Sequence, residues 1–106
     1  MAWIFLGIAG ALEVVWAFAM KKSEGFTVLV PSLVTLLAMV ASFGLLALAM
    51  RSLPLGTAYT IWTGIGALGA FVLGVAVLGE ALTLHRVVAA GLILSGIVLM
   101  KLASPH

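Results

Sequence analysis

Four long apolar runs separated by short polar breaks dominate the pattern along the chain. The first extends from Ala2 to Met20 and gives way to Lys21-Lys22-Ser23-Glu24-Gly25, a turn-forming cluster. The second runs from Phe26 or Thr27 to Met50, with Pro31 in its opening turns, where a missing N–H is tolerated. Arg51-Ser52-Leu53-Pro54-Leu55-Gly56 breaks the pattern before a third run, Thr57–Leu78. Gly79-Glu80-Ala81-Leu82-Thr83 precedes a fourth, Leu84–Leu102, and a stub ends in Pro105-His106. At 1.5 Å per residue the first run makes a helix roughly 28 Å long, about one bilayer core. The pattern therefore predicts an all-α membrane protein with transmembrane helices near 2–20, 27–50, 57–78 and 84–102, in one domain spanning 1–106. Short connections make neighbouring helices antiparallel and put both termini on one side.

Composition agrees with that reading and narrows the chemistry. Of 106 residues, 65% are hydrophobic and 8% charged, more apolar surface than a soluble domain of this length can bury. The absence of cysteine excludes disulfides, thiolate chemistry and Cys-based metal sites. His85 and His106 form no ligand pair, so neither a metal nor a cofactor is expected. The basic residues are scattered without interleaved aromatics, which suits lipid headgroups and not nucleic acid. The loops are too short to hold a soluble enzyme module. A cleaved signal would need basic residues before its apolar run; here the run starts at Ala2, Glu13 lies inside it and Lys21-Lys22 follow. Residues 1–20 thus read as a retained helix.

Charge placement bears on topology. Arg51 and Lys101 fall on the side of the termini, and Lys21, Lys22 and Arg86 on the other. Two against three is almost no bias under the positive-inside rule, so the chain is expected to insert both ways up. Oppositely inserted copies would form an inverted pair, the symmetry that many transporters build from internal repeats. Four helices are also too few to enclose an aqueous site, which again favours a homodimer.

Glu13 is the one charge within the first run, near the bilayer midplane, where an ionised carboxylate costs on the order of a few kcal/mol or more. A residue kept at that cost is a candidate proton and cation site; the bland reading is a protonated structural Glu. Gly10, Trp16 and Ala17 lie three or four residues away and share its face. Gly10 and Ala17 leave room, and Trp16 brings an indole donor and a π face. Ser42 is the polar candidate of helix two, with Met39 one turn before it, and helix three supplies Tyr59, Trp62 and Thr63. A carboxylate among aromatic rings attracts cations, each ring adding about 0.5–2 kcal/mol. Tyr59 and Trp62 also begin a span, as residues of an interfacial belt would, and membrane serines often bond their own backbone.

Gly64-Ile65-Gly66-Ala67-Leu68-Gly69 matches the dinucleotide pattern G-x-G-x-x-G, but no strand precedes it and it lies within an apolar span. Gly64 and Gly66 instead permit a helix-three bend, a hinge for gating, and close helix contact. On helix four, Ala89 and Gly96 recur seven apart with Ser95 beside them, a packing face for dimerisation.

Several motifs, in order and across nearly the whole chain, carry a family resemblance. They are Met-Ala-Trp at the start, G-x-x-E-V-V-W around Glu13, Lys-x-Ser-x-Gly-Phe-Thr after helix one, Leu-Pro-x-Gly-Thr-Ala-Tyr before helix three, and W-T-G-I-G-A from Trp62. Together they resemble the small multidrug resistance family of four-helix bacterial proton-coupled exporters. The resemblance implies an antiparallel, dual-topology homodimer in the bacterial inner membrane. Gly10, Trp16, Met39, Ala67 and Lys101 look like the guanidinium-exporter branch; exporters of quaternary ammonium drugs usually have a small residue where Trp16 stands. Thr60 departs from the alanine common in that branch. The implied activity is proton/guanidinium antiport, with both Glu13 carboxylates binding protons or substrate in mutually exclusive fashion. Trp16, Ser42, Tyr59 and Trp62 would orient Glu13 and line the substrate. The rival readings are a polyspecific exporter of hydrophobic or quaternary ammonium cations and a non-transporting membrane assembly subunit.

Overall fold

The computed structural model describes residues 1–103, and the expected stub with Pro105 and His106 lies outside the described residues. Four helices make up the chain: α1 (Ala2–Lys22), α2 (Leu29–Ala49), α3 (Leu55–Ala76) and α4 (Leu84–Ala103). Each is long and apolar enough to cross a membrane.

The helix ends follow local chemistry that hydropathy does not report. α2 starts at Leu29, beyond the expected Phe26 or Thr27, because fully buried Ser23 organises a turn there. Its hydroxyl donates to the Met20 carbonyl (2.6 Å) and accepts the Phe26 N–H (3.1 Å). Its carbonyl accepts the N–H groups of Thr27 (2.9 Å) and Val28 (3.0 Å). Those bonds accompany left-handed backbone at Glu24, Gly25 and Phe26 (φ 50°, 74° and 67°), unusual for the two residues with side chains. α3 begins at Leu55, two residues before Thr57, since Pro54 with extended backbone acts as its N-cap and Gly56 falls within the first turn. It ends at Ala76 and not Leu78; Gly79 (φ 71°) turns the chain, and the Glu80 N–H returns to the Gly74 carbonyl (2.9 Å). At the start of α4 the Thr83 hydroxyl oxygen accepts the Arg86 N–H (3.2 Å), an N-cap bond.

The Cα atoms fill a slab of 42 × 34 × 16 Å. α1 packs on both α2 and α3, whereas α4 packs mainly on α3. The core joins Leu6 and Ala9 of α1, Leu46 and Ala49 of α2, and Ala58, Ile61 and Trp62 of α3. Small residues set the crossings: a Cβ on Gly10 would lie 2.6 Å from Ile65 Cγ2, and one on Gly64 2.7 Å from Ile97 Cδ1. Such close approach matters because helices in lipid associate through van der Waals packing and not a hydrophobic driving force. α4 has no buried residue. Its beginning is tied to the preceding loop by the Glu80–Arg86 ion pair (3.2 Å) and to α3 by Arg86 over the Phe71 ring (5.0 Å). At the far end Lys101 lies over the Trp3 ring (5.4 Å), so the start of α1 and the end of α4 share one side of the slab.

Candidate functional site

Glu13 sits half-buried in the middle of α1 against Gly66 of α3. A Cβ at residue 66 would fall 2.7 Å from Glu13 Cγ and still closer to the carboxylate, so the bare glycine makes the space in which the acid lies. One turn on, Gly69 admits Val14 in the same way. The three glycines divide by direction. At 100° per residue Gly64 and Gly66 point about 200° apart, so Gly64 receives α4 while Gly66 and Gly69 receive α1. α3 is helical without interruption through all of them. Close contact is thus what Gly64 and Gly66 provide in this structure, with no break in the helix at either.

Glu13 Oε1 and Trp16 Nε1 are buried without a hydrogen-bond partner among the described residues. Beside them is a bonded chain across all three packed helices. Fully buried Ser42 donates its hydroxyl to the Ala9 carbonyl (2.7 Å) and accepts the Trp62 indole N–H (3.0 Å). In a regular helix the Ala9 carbonyl also receives the backbone N–H of Glu13, so this chain grips α1 at the register of the acid. Ser42 therefore bonds a neighbouring helix and not its own. Aromatic rings continue the wall: Trp16 meets Phe43 edge-on at 6.3 Å, Phe43 meets Trp62 at 5.7 Å, and Trp62 meets Tyr59 at 5.6 Å.

The other sequence candidates distribute unevenly. Trp62 is buried and hydrogen-bonded, unlike an interfacial belt residue, while Tyr59 is half-exposed. Tyr59 and Thr63 line a 460 Å³ groove between α3 and α4 that also includes Thr60, Ala67 and Gly96. Met39 is half-buried one turn before Ser42. Gly10 faces Ile65, so it serves the α1–α3 crossing and does not open room beside Glu13. Ala89 and Gly96 are exposed and border grooves between α3 and α4. Sequence reasoning missed Phe43, which bridges two of the predicted tryptophans, and Gly69. The signal for Gly69 lay in the last step of G-x-G-x-x-G, since residues three apart share a helix face.

Chemically, the Glu13 carboxylate, an acceptor when ionised, shares its face of α1 with Trp16 and forms no ion pair among the described residues. Among the described residues the one ion pair is Glu80–Arg86, between the α3–α4 loop and the first turn of α4. This arrangement suits a cation that donates hydrogen bonds.

A family model described as Small Multidrug Resistance protein matches residues 1–93. The chain belongs to that family. Small Multidrug Resistance membership makes it a multi-pass membrane transporter and not an enzyme. Among its relatives, the guanidinium exporter of Yersinia pseudotuberculosis serotype I is 60% identical over 104 residues, covering 98% of this chain and 100% of the relative. That of Citrobacter freundii is 52% identical over 104 residues (98% and 99%), and that of Proteus vulgaris 50% over 104 residues (98% and 100%). Family membership agrees with the motifs around Glu13, Tyr59 and Trp62.

Proposed function

We propose that this chain exports guanidinium, and small substituted guanidinium ions, in exchange for protons across the bacterial inner membrane, acting as an antiparallel dual-topology homodimer. The observation that carries the reading is Glu13 Oε1, buried in a membrane span without a hydrogen-bond partner among the described residues. The names of the relatives supply the substrate class.

The chemistry proceeds from the carboxylate. Guanidinium is planar, permanently charged and presents N–H donors in pairs that match carboxylate oxygens. In the dimer the two Glu13 side chains share one site, each binding either a proton or the cation. Protonation removes the charge that holds guanidinium, so proton entry on one side releases substrate there and exchange couples the two fluxes. The Ser42–Trp62 chain positions α1 around Glu13, and the Trp16, Phe43 and Trp62 rings exclude water from the cation. A slab 16 Å thick with a half-exposed Glu13 is half a chamber, and α4 without a buried residue has a face to give to a second copy.

Proteoliposomes with an imposed pH gradient test the proposal. Wild-type protein is expected to accumulate guanidinium, and Glu13→Gln to fold, dimerise and transport nothing. Binding is expected to weaken as pH falls, since the neutral acid has no Coulomb hold on the cation. Wild-type transport by Glu13→Gln, or an affinity independent of pH, would refute the assignment. Tetrapropylammonium current without guanidinium current would instead indicate a polyspecific drug exporter.

A further inference from the structure

A separate groove, of 290 Å³, lies where α1, α3 and α4 meet, and none of its lining residues belongs to the Glu13 site. Its walls are one or two turns from each helix: Trp3, Leu6 and Gly7; Ile61 and Ile65; Ile97, Val98, Lys101 and Leu102. Trp3 is the second residue of α1 and Lys101 the third from the end of α4, so the mouth lies at the end of two spans. Tryptophan and lysine are the side chains that favour that depth, the boundary between acyl chains and headgroups. The groove runs inward from this polar mouth along apolar walls.

Two features make it more than a surface crease. Lys101 is its only charged lining residue, is held over the Trp3 ring at 5.4 Å, and forms no ion pair among the described residues. The groove is also open at Gly7, where an added Cβ would meet nothing within 4 Å. That glycine differs from Gly10, Gly64 and Gly66, whose bare Cα atoms are covered by neighbouring side chains. It leaves space on the wall of the groove without serving a helix contact.

We propose that this groove holds the upper part of one acyl chain of an anionic phospholipid whose phosphate pairs with Lys101. The pairing of an ammonium at headgroup depth with an apolar furrow below it matches a molecule that has a phosphate above a hydrocarbon chain. Charge decides the lipid class: a basic residue at the membrane surface favours a net-negative headgroup over a zwitterionic one by about fivefold. The site is independent of the transported cation.

Native mass spectrometry of the full-length protein in mild detergent tests this, with equal amounts of phosphatidylglycerol and phosphatidylcholine added. Wild type is expected to retain phosphatidylglycerol about fivefold over phosphatidylcholine. Lys101→Gln should bring the ratio near one while leaving total lipid retention largely intact. Gly7→Leu should plug the furrow and reduce retention of both lipids several-fold, with the thermal midpoint and oligomeric state unchanged. Equal retention of the two lipids by wild type would overturn the proposal, as would an unchanged ratio in Lys101→Gln. So would undiminished retention in Gly7→Leu, or a loss of dimer in that variant without loss of lipid, which would assign the groove to a second copy. If Lys101→Gln does not fold, the wild-type ratio and Gly7→Leu decide.

Discussion

Replacing Gly66 with alanine perturbs Glu13 through a single methyl group without altering its charge. The added Cβ would sit 2.7 Å from Glu13 Cγ, whereas carbon atoms rest about 3.5–4.0 Å apart. Relieving that overlap moves the Glu13 side chain by roughly 1 Å, because the backbone on both sides is fixed in long helices. The effect on stability is small: overpacking costs about 1–3 kcal/mol, and alanine in place of a helix-interior glycine returns about 1 kcal/mol. A net loss of about 0–2 kcal/mol leaves a typical protein folded. A displacement of about 1 Å at the reacting group, by contrast, lowers rates by about a hundredfold. Guanidinium flux in proteoliposomes is therefore expected to fall by about two orders of magnitude in Gly66→Ala. The melting temperature in detergent should move only a few degrees. Gly64→Ala is the control, since its Cβ meets the end of the Ile97 side chain on α4, 2.7 Å away, and not Glu13. It should cost comparable stability and keep most of the flux. Wild-type flux in Gly66→Ala, or an equal loss in both variants, would refute the idea that this glycine seats the acid.

Four further outcomes are expected. Ser42→Ala strands the buried Trp62 indole N–H and should destabilise by about 1–3 kcal/mol in denaturant titrations, with Ser42→Thr partly restoring it; an effect no larger than that of Ser95→Ala, whose exposed hydroxyl bonds its own helix, would contradict the bridging role. At the start of α4, Thr83→Ala should cost about 1 kcal/mol through loss of the cap. Glu80→Gln should stay within about 0.5 kcal/mol because the Glu80–Arg86 pair is well exposed; the reverse order in thermal melts would show that the ion pair holds the loop. Single cysteines at Ser52 and Ala81, both exposed and in different loops, should each label in roughly equal inside and outside fractions in cells. One fixed orientation would exclude the dual-topology dimer as the main form.

Some of this molecule is legible in the order of its residues. Four apolar runs of helix length can only be satisfied by helices in a bilayer, since each backbone N–H and C=O must find its partner within the segment. Glu13 stands out for the same reason, as the one charge placed where lipid makes charge expensive. Helix ends are less legible, because Ser23, Pro54 and Gly79 act through hydrogen bonds and φ angles that hydropathy does not register. The site itself needed the tertiary structure. Periodicity tells which residues share a face, but not which neighbour that face will meet. Gly64, Gly66 and Gly69 looked alike in one motif, and only packing sent the first toward α4 and the other two toward α1. Ser42 had two outlets for its hydroxyl, a carbonyl of its own helix or one across the interface. The close approach of α1 decided between them by bringing the Ala9 carbonyl to 2.7 Å and leaving the Ser42 oxygen to accept the Trp62 N–H. That choice depends on the separation of three helices at once, a quantity no stretch of sequence contains.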